Sequence, residues 1–134
     1  MTFAKLFSLL LVGVCGCGNS ATATFNNCTS FKDHSAANDS RVITFGGTVG
    51  LNYSPACMEI AAGQSVDFKG AFGTHPLTAG TGPTGLKDGS AGNPITTPPA
   101  TATDTSFAFP TAGLYPFFCQ NHVGSGMAGV VKVH

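Results

Sequence analysis

The chain has 134 residues, 43% of them apolar and 11 of them Phe, which suffices for one modest core and excludes a large multi-domain enzyme. Six Lys plus Arg against six Asp plus Glu give zero formal charge, so no basic field exists to hold a nucleic acid backbone. Only 9% of residues are charged, against about a quarter in ordinary domains, yet this apolar content makes the chain globular rather than disordered despite 18 Gly and 8 Pro.

The first predicted element is a leader. Lys5 precedes the apolar run Leu6–Val14, which is too short to span a bilayer as a helix, and residues 1–16 read as a secretory signal. The run ends in Val14-Cys15-Gly16-Cys17, small residues ahead of a cysteine, followed by the polar stretch Gly18–Thr24. This ending resembles a bacterial lipoprotein signal. The resemblance implies a lipid on Cys17, because Gly16 precedes it whereas bulky Val14 precedes Cys15. Residues 17–27 then form a tether, and the domain runs over 28–134. From Cys17 onward the chain keeps five basic and six acidic residues. The expected location is the bacterial periplasm or cell envelope, with the membrane touched only through that lipid.

After the leader no helical period and no internal repeat appear, while strand signals are frequent. Arg41–Phe45 is β-branched and stops at Gly46-Gly47. Cys57–Ile60 follows a Ser54-Pro55 turn, and Ala62-Gly63 introduces Gln64–Phe68, which alternates polar and apolar as a half-buried strand does. Thr105–Pro110 leads through the turn Thr111–Gly113 into Leu114–Cys119, and Val130–Val133 is the last strand. Short strands with Gly and Pro punctuation predict an antiparallel sandwich. Between them Gly80–Asp104 is a long irregular connection broken by eight Gly and Pro residues from Gly82 to Pro99. Loops of this length are functional or mobile, and the plainer alternative is a peripheral insertion across one sandwich edge.

Export changes how the cysteines are read, since an oxidising compartment favours disulfides. Cys119 stands in Phe117-Phe118-Cys119-Gln120-Asn121-His122, whereas Cys28 and Cys57 have no such His context. Pairing Cys28 with Cys57 leaves Cys119 free. The bridge closes a loop of about 30 residues, which on a chain-entropy model contributes roughly 3 to 4 kcal/mol.

The chemistry lies in Cys119–Met127. A thiolate, an imidazole and a thioether follow one another at positions 119, 122 and 127, where a strand enters a tight loop. Two imidazoles and one thiolate with a weak axial thioether make a blue-copper set, and the segment lacks one His. Gly73-Thr74-His75-Pro76-Leu77 supplies it from an upstream strand end. Gly124 and Gly126 permit the sharp turns that bring His122 and Met127 over one ion. Zinc is the competing reading of Cys and His, and Met127 argues against it.

Over roughly Tyr53 to His134 the sequence resembles the cupredoxins, the plastocyanin and azurin family of small blue copper proteins, and the Cys119, His122 and Met127 spacing matches the plastocyanin-like version. The resemblance implies an eight-stranded Greek-key β-sandwich (all-β) holding one type 1 copper ion, with His75, Cys119 and His122 equatorial and Met127 axial. It implies one-electron transfer between a redox donor and acceptor docking near His122, with Pro76, Val123, Gly124 and Met127 as rim and Phe72, Leu77, Phe117 and Phe118 keeping water out. Envelope copper binding or delivery without electron transfer is the alternative. An enzyme is disfavoured, because four ligands leave no open coordination position and no paired carboxylates accompany them. His34 and His134, outside any ligand context, are expected to be exposed.

Two departures from the family pattern stand out. Relatives commonly carry Asn directly after the first His, where its amide braces the site; Pro76 stands there and has neither side-chain nor backbone donor. Asn121 stands where many relatives have Pro, and the sequence assigns it no tuning role.

Overall fold

Alternation decides which side chains meet. The computed structural model describes residues 25–81 and 92–134; the proposed signal, Cys17, its tether up to Thr24 and residues 82–91 of the long connection lie outside them. Nine strands follow in order: β1 (Lys32–Asp33), β2 (Val42–Phe45), β3 (Tyr53–Ser54), β4 (Cys57–Ile60), β5 (Ser65–Lys69), β6 (Leu77–Ala79), β7 (Asp104–Ala108), β8 (Gly113–Cys119) and β9 (Ala128–Val133). Their inward positions, Ile43 and Phe45, Met58 and Ile60, Val66 and Phe68, Phe117 and Cys119, and Val131 and Val133, form one buried cluster between two sheets. Burying each large side chain among them contributes about 1.5–3 kcal/mol.

One sheet has the order β1-β4-β9-β8-β6 and the other β3-β2-β5-β7, a Greek-key β-sandwich. Among the described residues the strands number nine where the resemblance implies eight; β1 and β3 are two-residue pairings on sheet edges, too short to leave a pattern in sequence. The sheets are also mixed where an antiparallel sandwich was expected. β2 runs parallel to β5 (Ile43↔Phe68), and β4 runs parallel to β9 (Met58↔Val131). Connections that cross from one sheet to the other bring strands of the same direction side by side, which no local alternation records.

The five-stranded sheet is covered on its outer face too. Phe118, Val130, Ala128 and Cys28 are buried yet stand outside the central cluster. The segment before β1 is strapped to this sheet: Cys28 is bridged to Cys57, and the Asn26 amide donates to the carbonyls of Phe117 (2.9 Å) and Gly129 (2.8 Å). Asn26 and Asn27 reach these places through positive φ angles of 51° and 62°, which Asn tolerates better than most residues. Opposite them β9 lies close to its neighbours, because a Cβ at Gly129 would collide with the Ala56 carbonyl and the Phe117 ring.

Of the long connection, Ile95 is buried in the core and the Asn93 amide donates to the Pro116 carbonyl at 2.8 Å, so its second half is packed rather than peripheral. At the opposite turn the Tyr115 hydroxyl donates to the Thr111 carbonyl at 2.7 Å and pins the hairpin that starts β8. β8 ends, and β6 and β9 begin, at one end of the sandwich (Leu77↔Cys119, Phe118↔Ala128). That end carries the loops 70–76 and 120–127. Among the described residues no helix is long and apolar enough to cross a membrane.

Candidate metal centre

Strand pairing sets the first two donors side by side. Cys119 is the last residue of β8 and pairs with Leu77, which starts β6 two residues after His75. The Gln120 N–H donates to the Pro76 carbonyl at 2.9 Å and carries the ladder one step further. Beyond it the loop closes on itself. The Cys119 N–H donates to the Met127 carbonyl (2.9 Å), the His122 N–H to the Cys119 carbonyl (3.2 Å) and the Met127 N–H to the His122 carbonyl (3.3 Å). Gly126 makes the return with φ 81° and ψ 14°, left-handed backbone that glycine adopts without strain.

The result is a convergent donor set. His75 Nδ1 lies 3.2 Å from His122 Nδ1, and Cys119 Sγ lies 3.3 Å from His122 Nδ1 and 3.9 Å from His75 Nδ1. The ligand atoms of these three residues all fall within 4.8 Å of one another, and no other described group of three or more His, Cys, Asp or Glu side chains does so. His75 and Cys119 are buried and His122 is half-buried, so one imidazole edge faces the surface. Met127, bonded through its backbone to both Cys119 and His122, is fully buried. It therefore belongs to the interior of the site and not to its rim.

Burial holds the His75 imidazole below its ordinary pKa, with the neighbouring His122 adding to the effect. Burial thus favours the neutral ring, whose Nδ1 offers a lone pair in the tautomer protonated at Nε2. Burial pushes the Cys119 thiol up, partly offset by the backbone N–H groups of Asn121 and His122. A cation in the site must displace that proton, as a bound metal does for thiol ligands. A soft sulfur and two imidazoles, already close together and largely enclosed, fit copper.

A model of the copper binding proteins of the plastocyanin/azurin family matches residues 40–134. The chain belongs to this family. Solved structures agree on the fold. A mutant plastocyanin of fern superposes with a TM-score of 0.52 and 17% identity, covering 69% of this chain and 99% of that one. A reduced amicyanin variant gives 0.50 and 18%, covering 74% and 86% respectively. The copper-containing nitrite reductase of Thermus scotoductus gives 0.50 and 22%, with 69% of this chain matched to 22% of that enzyme. No curated protein matches the chain. The cofactor of this cupredoxin is one copper ion, and His75, Cys119, His122 and Met127 stand in the type 1 arrangement.

Around this cupredoxin centre, Phe72, Leu77 and Phe117 are fully enclosed in the core cluster, as water exclusion requires, whereas Phe118 turns to the outer face of its sheet. His134 is exposed as expected. His34 is not: it is half-buried, its Nε2 has no partner among the described residues, and its N–H donates to the Glu59 carbonyl at 2.8 Å. That bond continues the parallel β1–β4 pairing and draws His34 inward.

Two neighbours of the site escaped sequence reading. Gly46 follows β2 with φ 71° and ψ −170°, a conformation nearly exclusive to glycine, and a Cβ there would sit 3.2 Å from His75 Cδ2 and Nε2. Backbone at Gly46 thus backs the imidazole. Tyr53 is buried with its ring edge-on to Phe45 (centroids 5.3 Å) and Phe117 (4.9 Å), and its hydroxyl has no partner among the described residues. Burial, reinforced by a negative charge on Cys119, keeps the phenol protonated. An orphaned buried hydroxyl costs about 1–3 kcal/mol, so Tyr53→Phe is expected to raise the unfolding free energy of the metal-free protein by about 1 kcal/mol in urea titration. A loss of comparable size would reveal a partner for that hydroxyl.

Proposed function

We propose that the protein is a one-electron carrier of the cell envelope, with His75, Cys119 and His122 as equatorial copper ligands and Met127 as the weak axial ligand. The observation that carries this reading is the convergence of one buried thiol at the end of β8 with two imidazoles from the loops beside it. Copper supplies a Cu(I)/Cu(II) couple when bound. The chain's part is to keep the donors from moving between the two states. Cys119 is fixed by the β6–β8 ladder, His75 is backed by Gly46, and Phe72, Leu77 and Phe117 exclude water. Four ligands leave no position for a substrate, which favours a carrier over an enzyme.

Donor and acceptor proteins dock, on this reading, over the half-buried edge of His122. Pro76 and Val123 are half-buried and Gly124 is exposed beside it. Leu51, 43% exposed, follows the Gly46–Gly50 turn near the same end. The stretches 46–52, 73–77 and 120–127 contain no Asp, Glu, Lys or Arg. Partners are therefore held by shape and apolar contact, without long-range charge steering. A signal over 1–16 and a lipid on Cys17 would keep this face at the envelope.

Optical and spin-resonance spectra of the copper-loaded protein test the reading, together with voltammetry. The expected results are an intense visible thiolate-to-copper band and a reversible one-electron wave. A copper-loaded protein without colour would favour copper binding and delivery instead.

A further inference from the structure

The Asn121 side-chain amide donates to the Thr74 carbonyl at 3.1 Å. Asn121 directly precedes His122 and Thr74 directly precedes His75, so this one bond joins the residues next to both imidazoles. The donor inventory explains why it comes from this side. In the His75 loop the Thr74 and His75 N–H groups both donate to the Ala71 carbonyl, at 3.2 and 2.9 Å, and Pro76 has no N–H. At Thr74, His75 and Pro76 this loop therefore turns no free backbone N–H across the gap and offers carbonyls instead. In the opposite loop the N–H groups of Cys119 and His122 are engaged within the loop, and those of Asn121 and His122 face the Cys119 sulfur. The Gln120 N–H reaches Pro76, and the next step across the gap falls to the Asn121 side chain.

We propose that Asn121 is a positioning residue for the metal centre: its amide ties the two ligand loops together and sets the spacing of His75 and His122. This rests on the copper reading above and gives a positioning role to a residue to which the sequence assigns no tuning role. With the bond in place the Nδ1 atoms stand 3.2 Å apart before any ion arrives. Without it the His75 loop is held across the gap by the sheet ladder alone, and the imidazole spacing relaxes.

Two variants separate bonding from packing. Asn121→Ala removes the side chain, whereas Asn121→Asp keeps its shape and puts a charged acceptor in place of the donor facing the Thr74 carbonyl. The readouts are the rate of copper(I) release to a chelator and the ligand-field bands of the cobalt(II)-loaded protein. Both variants are expected to release copper about two- to tenfold faster than the parent, the scale of a single hydrogen bond, and to shift the cobalt bands. Parental rates and bands in both variants would overturn the proposal. So would a parental Asn121→Asp beside a fast Asn121→Ala, which would assign the effect to volume. A parent protein that takes up neither ion sinks the copper reading and the proposal with it, so the two failures are distinguishable.

Discussion

Cys119→Ala is expected to abolish the visible band of the copper-loaded protein and its voltammetric wave, while far-ultraviolet circular dichroism keeps its β-sheet form. The intensity of such a band comes from charge transfer out of a copper-bound thiolate, and Cys119 is the free cysteine among the described residues. Among the described residues no other free thiol can replace it. The fold should survive because Cys119 occupies the terminal position of β8, where six other residues maintain pairing with β9 and β6. Truncating a buried thiol to a methyl leaves a small cavity and a cost of about 1–2 kcal/mol, less than a domain's stability. Copper left on His75, His122 and Met127 would give weak colour only. An intense band persisting in Cys119→Ala would show that the thiolate lies elsewhere.

The second large effect concerns the strap. Replacing Cys28 and Cys57 together by Ala is expected to lower the unfolding free energy by about 2–5 kcal/mol, the usual consequence of removing a disulfide from a small domain. The two cysteines lie 29 residues apart in sequence, so the unfolded chain gains a long loop's freedom. The folded state loses something as well, because the segment before β1 is then tied to the sheet only by hydrogen bonds such as those of the Asn26 amide and the β1–β4 pairing. Heat or urea titration reads the change, with a midpoint drop of at least about 8 °C for a domain of this size. The visible spectrum should be kept below that midpoint, since His75, Cys119, His122 and Met127 belong to β6, β8, β9 and their loops rather than to the strap. A spectrum lost while the protein remains folded would mean that the outer face supports the copper site directly.

Much of the site is legible in sequence because three of its donors share one loop. Cys119, His122 and Met127 lie within nine residues, a spacing that tight-loop geometry must bring together, and His75 declares itself through Thr74-His75-Pro76-Leu77 ahead of a strand. The long strands are legible for a similar reason: in Gln64–Phe68 the period of two is written residue by residue. β6 is different. Three residues carry no period, and Leu77–Ala79 is a strand only because β8 lies beside it.

What sequence missed depends on partners distant along the chain. Asn121 reads as a loop residue until its amide is seen at Thr74, 47 positions away. Gly46 reads as a turn until the His75 ring is found against it, and Tyr53 draws no reading of its own until its hydroxyl is found buried with no partner among the described residues. His34 reads as exposed because the β1–β4 bond that turns it inward joins segments with no shared pattern.

The amino-acid sequence by itself determined the family, the donor atoms and the main strands, because ligand chemistry and side-chain alternation are local properties that survive as spacing. Tertiary structure alone decided the parallel pairings, the covering of the sheet's outer face, the burial of Met127 and the bracing of both imidazoles. Each of these is a hydrogen bond or a packing contact between segments whose approach depends on how the two sheets close over a common core, and that closure is a property of the whole chain.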